Sequence, residues 1–195
     1  MSTLITTTVQ GVQTVKYDAS TTAFTVGSDG TMTINQPPIQ KCISFRAGIA
    51  SNPPLGGGSS PIPYASVTNS NTGQHNIGSH YSTSDYKFVV PRTGVYHFGH
   101  QLLVQNYGDG DALEVYIKKL DSSDGNEQEL AIGSRMKYEP DATGYGQYME
   151  GRTFCTSLLT AGEKVFFSAY RTGSSGTIHN NPKWSFCYGY YVGSA

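Results

Sequence analysis

Five histidines, His75, His80, His97, His100 and His179, are the first residues in this 195-residue chain with types suited to chemistry. None stands in an H-x-x-x-H or Cys-His ligand spacing, so no zinc site is expected. His100 shares the strand parity of Tyr96, Phe98 and Leu102, which predicts a satisfied interior or interface imidazole rather than a ligand. Hard oxygen ligands are present at Asp109, Asp111, Asp121 and Asp124. Neither acidic segment keeps the D-x-[DN]-x-[DN]-G register of a calcium loop, and Asp, Asn and Gly are what hairpin turns need in any case. Glu114, Glu127, Glu129, Glu139, Glu150 and Glu163 supply carboxylates with no spacing that marks a glycosidase pair. No G-x-S-x-G elbow presents a serine nucleophile. The reading is of a non-enzymatic protein with no catalytic residue, cofactor or metal.

Cys42, Cys155 and Cys187 are odd in number and lie in apolar or aromatic runs. Buried free thiols of a protein folded in a reducing cytoplasm are expected. The alternative, a Cys155 to Cys187 bridge, requires their strands to be neighbours.

The elements that would position these groups are strands. Charged residues make up only 14%, aromatics 12%, and there are 23 glycines, the composition of an all-β protein with many turns. Net charge is −1 without a Lys or Arg run, which removes the electrostatic footprint of nucleic-acid binding. No stretch of 18 apolar residues occurs, and the first residues lack a basic start and an apolar core; membrane insertion and a secretion signal are not expected. Phe88-Val-Val-Pro91-Arg-Thr-Gly94 reads as an edge and a turn feeding a long strand with Tyr96, Phe98, Leu102 and Val104 on one face. Ala112 to Ile117, Glu129 to Lys137, Phe154 to Leu159, Lys164 to Tyr170 and Lys183 to Val192 read as further strands. Ser51 to Pro63 is a long loop whose composition gives it no core of its own. Two stacked antiparallel sheets follow.

Residues 1 to 38 differ, being rich in Thr, Gln and Ser. They read as an anchoring arm, separated at Gln36-Pro37-Pro38 from a head of residues 39 to 195. Val9, Val12 and Val15 recur every third position and fit neither helix nor strand periodicity. Phe24 and Val26, then Met32 and Ile34, alternate about Gly27-Ser-Asp-Gly30 and predict a β-hairpin. A lone hairpin is marginal in water, so those apolar residues are expected to dock on another copy or a host assembly.

The words Phe88-x-x-Pro91-x-x-Gly94-x-Tyr96-x-Phe98 resemble the signature of the complement q globular head, a jelly roll shared with the tumour necrosis factor superfamily. Ile43-Ser-Phe45-Arg-Ala47, Asn76-Ile-Gly78-x-x-Tyr81, Leu158-Leu-x-x-Gly162-Glu163-x-Val165-x-Phe167 and Trp184-Ser-Phe186-Cys-Tyr-Gly189-Tyr-Tyr-Val192 resemble other family words in the same order. The resemblance covers residues 40 to 195 and implies an antiparallel jelly-roll sandwich. It also implies a homotrimer about a threefold axis, with Tyr96, Phe98, His100, Leu102, Tyr188 and Tyr190 as candidates for core and axis.

Thr6-Thr-Thr-Val9-Gln-Gly-Val12-Gln and Tyr17-Asp-Ala-Ser-Thr-Thr22 resemble the starts of structural proteins in tailed bacteriophages, marine and cyanobacterial ones in particular. That resemblance implies a virion-surface protein assembled in the host cytoplasm, with phage capsid or tail proteins as partners. A capsid decoration protein is expected, because the arm is too short for a shaft; the alternative is a tail-fibre tip that binds host surface glycan.

Overall fold

The computed structural model describes residues 14–16, 22–34, 42–55, 60–68, 70–106, 111–137, 148–172 and 176–194. The chain divides into two compact units, Met1–Lys41 and Cys42–Ala195. Val9, Val12 and the Gln36-Pro37-Pro38 punctuation lie outside the described residues.

In the first unit, β1 (Thr14–Lys16), β2 (Thr22–Val26) and β3 (Met32–Ile34) form an antiparallel meander. The expected hairpin is β2 and β3, with Phe24 opposite Ile34 and Val26 opposite Met32. Its turn is closed by Gly27 N donating to the Thr31 carbonyl (2.7 Å) and by Gly30 at φ 80°. The Asp29 carboxylate accepts from the Thr31 hydroxyl and amide, which holds it below the usual carboxylate range. What periodicity did not assign is β1, which places Val15 opposite Phe24.

The second unit is a sandwich of two antiparallel sheets. Its strands are β4 (Ser44–Gly48), β5 (His75–Ile77), β6 (Lys87–Val89), β7 (Gly94–Gln105), β8 (Ala112–Leu120), β9 (Gln128–Ile132), β10 (Met136–Lys137), β11 (Tyr148–Leu159), β12 (Lys164–Thr172), β13 (Thr177–Ile178) and β14 (Phe186–Gly193). One sheet has the order β11-β7-β14-β4-β5, with β13 also on β7. The other has the order β10-β8-β12-β6, with β9 also on β8. Among the described residues the one helical turn is a 3-10 turn at Ser70–Thr72.

The organising strand, β7, pairs with β11 along its whole length. Its alternation sends Tyr96, Phe98, His100, Leu102 and Val104 between the sheets, all buried. There they meet Phe45, Tyr81, Phe88 and Phe167 in a chain of rings: Phe45–Tyr81 at 4.6 Å, Phe45–Phe88 at 5.1 Å and Phe88–Phe98 at 5.6 Å between centroids. The Tyr96 hydroxyl reaches the Arg92 carbonyl (2.7 Å), so its burial leaves no donor unmade. Gly189 belongs to the same layer, since a Cβ there would meet the Phe98 and Phe45 rings.

Two expectations change, one is sharpened and one alternative is removed. The strand expected over 129–137 is two pieces, β9 and β10, broken at Gly133, where a Cβ would strike the Arg152 backbone. The long loop is pinned at both ends of its described parts, because Leu55 and Ile62 enter the core and Leu55 N donates to the Gly176 carbonyl. Cys42 is exposed, not buried. The Cys155–Cys187 bridge is excluded: Cys155 pairs with Phe98 and Cys187 with His100, so β7 runs between the two thiols. Two strand spacings, roughly 9.5 Å, separate those backbones.

Candidate functional site

The residues of β7 that alternate outward are Val95, His97, Gly99, Gln101 and Leu103. Register places Leu158, Thr156, Phe154, Arg152 and Glu150 of β11 beside them, in that order. On the other flank β14 offers Phe186, Tyr188 and Tyr190, opposite Gln101, Gly99 and His97. The outer face of the six-stranded sheet is therefore apolar and aromatic across its middle. Phe154 is 75% exposed and Leu158 57% exposed, with Tyr190, Val192 and Ile77 also on the surface.

Local packing holds these rings in place. Gly99 has no side chain, and the Tyr188 ring lies over it; any Cβ there would overlap that ring. The Arg46 guanidinium stacks 3.8 Å from the centroid of Phe186, and Phe186 lies 6.3 Å from Tyr188. His97 sits among Tyr190 (5.2 Å), Tyr188 (6.0 Å) and Phe154 (6.4 Å). Its Nδ1 is 2.9 Å from the Thr156 hydroxyl. A surface of fixed rings loses little side-chain freedom when it is covered.

The structure divides the six core-and-axis candidates. Tyr96, Phe98, His100 and Leu102 are interior, whereas Tyr188 is half-buried and Tyr190 exposed on the outer face. His100 is interior, yet neither ring nitrogen makes a well-formed hydrogen bond. It is held by edge contacts with Phe167 (5.5 Å) and Tyr64 (5.7 Å). Burial pushes its imidazolium down to about 3, with the Tyr116 backbone opposing, so the side chain is neutral at physiological pH. Of the arm candidates, Val15, Phe24, Val26, Met32 and Ile34 lie on the paired strands of the first unit.

Several of the described acidic candidates serve the fold. In the turn after β8, Asp121 accepts from Ser123 N and Oγ, Gly125 N and Asn126 Nδ2. Those bonds, Ser123's first, hold its carboxyl at about 2. Asp124 binds Lys164 (2.5 Å) and Lys87 (2.6 Å), and Glu127 binds Lys118 (2.7 Å). Glu163 pairs with Lys119, Glu150 with Arg152, and Glu114 accepts from the Tyr116 hydroxyl. Asp109 lies outside the described residues. Cys155 and Cys187 are occupied with packing: burial pushes the Cys155 thiol up to about 11 and raises Cys187 well above the ordinary thiol range.

What the sequence reading missed is on the solvent side of the other sheet. Phe166 is 1% exposed although it alternates away from Val165 and Phe167. Its direct cross-strand neighbours are Lys87 on β6 and Lys118 on β8. The lysine stems cover the ring while their ammonium groups reach Asp124 and Glu127. The signal was in the sequence, as two lysines at matching parity and an acidic turn of suitable length, but it needed the register to become visible.

No protein-family model matches this chain, and no curated protein matches it in sequence. Solved structures do. The tumour necrosis factor Eiger from S. frugiperda superposes with TM-score 0.59 at 11% identity, covering 80% of this chain and 96% of that one. Murine APRIL gives 0.56 at 11% identity, covering 78% of this chain and 100% of that one. The globular domain of zebrafish complement 1qA gives 0.52 at 10% identity, covering 80% and 100%. The chain thus folds as an antiparallel jelly roll of the kind found in tumour necrosis factors and the complement q globular head.

Proposed function

We propose that this chain is a non-enzymatic virion-surface protein, a homotrimeric jelly-roll decoration of a phage capsid held by its first unit. The observation that carries the trimer is the exposed aromatic face of the six-stranded sheet. A surface of exposed aromatic and aliphatic side chains, interrupted by His97 and Thr156 and flanked by Arg152, Glu150 and Gln101, is what self-association covers. Jelly rolls of similar fold supply the architectural precedent. The virion reading is supported by the Thr-rich opening residues, and by the separation of the chain into a small leading unit and a larger head.

Two measurements test it. Light scattering of the purified chain is expected to give three times the monomer mass, and a stable monomer at micromolar concentration overturns the trimer. Deleting residues 1–36 is expected to leave a folded trimer that no longer sediments with capsids. Continued capsid binding by the truncated protein overturns the anchoring role, and sedimentation with tails instead of capsids replaces decoration by a tail-tip role.

A further inference from the structure

β13 and β14 both pair with the same edge of β7, since β11 occupies the other edge throughout. Ile178 stands opposite Val104 and Phe186 opposite Gln101. While β7 advances over Leu102 and Leu103, the neighbouring chain spends residues 179–185 on an excursion and then rejoins the ladder. An excursion of this kind re-aims side chains that the sheet would otherwise bury or point elsewhere.

The excursion is tightly built. His179 N donates to the Leu103 carbonyl (2.9 Å) at its start, and the buried Ser185 hydroxyl binds the Leu103 backbone at its end. Between them the Asn181 carbonyl accepts from Trp184 N (2.9 Å) and Ser185 N (3.0 Å), and its side chain accepts from Lys183 N (3.0 Å). Asn181 N reaches His179 Nδ1 (3.1 Å), and Asn180 N reaches Asn52 Oδ1 (2.8 Å). All this bonding presents the chain's single tryptophan, Trp184, to solvent at 47% exposure. The exposed Tyr148 ring stands 6.1 Å from His179 at the same end of the sheet.

We propose that this excursion is a saccharide-binding subsite, with Trp184 and Tyr148 as stacking platforms and the surrounding amides as hydroxyl partners. The inference rests on the surface-protein reading for its ligand class. A pyranose has a C–H-rich face that lies on an indole or phenol ring, and a rim of hydroxyls that both donate and accept. Asn52 and Asn180 are amides that both donate and accept, chemistry that matches sugar hydroxyls. The indole N–H and the Asn180 side chain make no hydrogen bond among the described residues, so both are open to a ligand. Rings held by a pre-bonded loop require little ordering on binding, and three copies on one assembly turn a weak contact into a firm one.

The test uses the full-length chain and three neutral probes, maltohexaose, chitohexaose and mannohexaose. Because Trp184 is the only tryptophan, intrinsic fluorescence reports contact at this position directly. A saturable spectral shift with at least one probe is expected, with Kd on the order of 1 mM. Calorimetry with that probe is expected to show binding at least about tenfold weaker in Trp184→Ala and in Tyr148→Ala. Tyr170→Ala, on the other sheet, is expected to bind like wild type. No response to any probe overturns the proposal, as does binding undiminished in both variants. A change of molecular mass in Trp184→Ala also overturns it, by making the excursion a protein interface. A monomeric chain that still binds a probe leaves the subsite standing and removes only the trimer.

Discussion

On the outer face of the five-stranded sheet, Phe166 is 1% exposed, roofed by lysine stems whose charges are fixed on Asp124 and Glu127. On the outer face of the six-stranded sheet, Phe154 is 75% exposed, and the neighbouring His97, Tyr188 and Tyr190 leave it uncovered. Both faces carry aromatic residues at outward positions of central or flanking strands. They differ in whether the chain supplies the cover itself. A face that supplies its own cover is finished in the monomer; one that does not is a surface whose cover comes from elsewhere.

The largest expected effect separates the two faces outright. Phe154→Asp combined with Leu158→Asp is expected to weaken trimer association by about a thousandfold or more, since buried unpaired charges at an apolar centre cost several kcal/mol. Light scattering reads this as a monomer, while circular dichroism of the head stays unchanged. Phe166→Ala is the converse experiment: it is expected to lower stability by ~3 kcal/mol in denaturant unfolding with no change in mass. If Phe166→Ala also dissociates the protein, the distinction between the faces fails.

The interior between the faces gives a third test. His100 titrates at about 3 in the folded chain, against an unfolded value of about 6.5. Between those values the unfolded state takes up the proton first. Stability is therefore full at neutral pH and falls as pH drops below about 6.5, at up to ~1.4 kcal/mol per pH unit until the folded value is reached. His100→Leu is expected to flatten that acid limb in thermal unfolding across pH 7 to about 4. The smallest effect belongs to Asp124→Asn. It is expected to lower the melting temperature slightly in dilute buffer, with the difference from wild type gone in about 1 M salt, because exposed ion pairs are screened.

Much of the head was legible because its strands announce themselves locally. Pro91 and Gly94 mark the entry to β7, alternation through Val104 marks its inward face, and Gly27 to Gly30 marks the turn between β2 and β3. The aromatic candidates were readable as a set and not as two sets, since choosing which parity faces inward requires the opposing sheet. Tyr188 and Tyr190 went outward because Gly189, between them, is where Phe98 and Phe45 need space. Phe166 and its lysines were hidden for a related reason: cross-strand neighbours are set by register, and residues 87, 118 and 166 are far apart in the chain. The Trp184 excursion was hidden too. Lys183 and Trp184 read as the start of the last strand, whereas that strand begins at Phe186, and nothing local reveals that β13 and β14 join the same edge of β7.

That shared ladder has an evolutionary consequence. Because the detour over 179–185 departs from and returns to one edge of β7, residues can be added to it or removed from it without shifting how Val104 or Gln101 is paired. Insertion length is uncoupled from sheet geometry at this position. A lineage under pressure to change what it adheres to would find its cheapest raw material here, and sequences of close relatives are expected to vary in length at this point while the flanking strands hold their spacing.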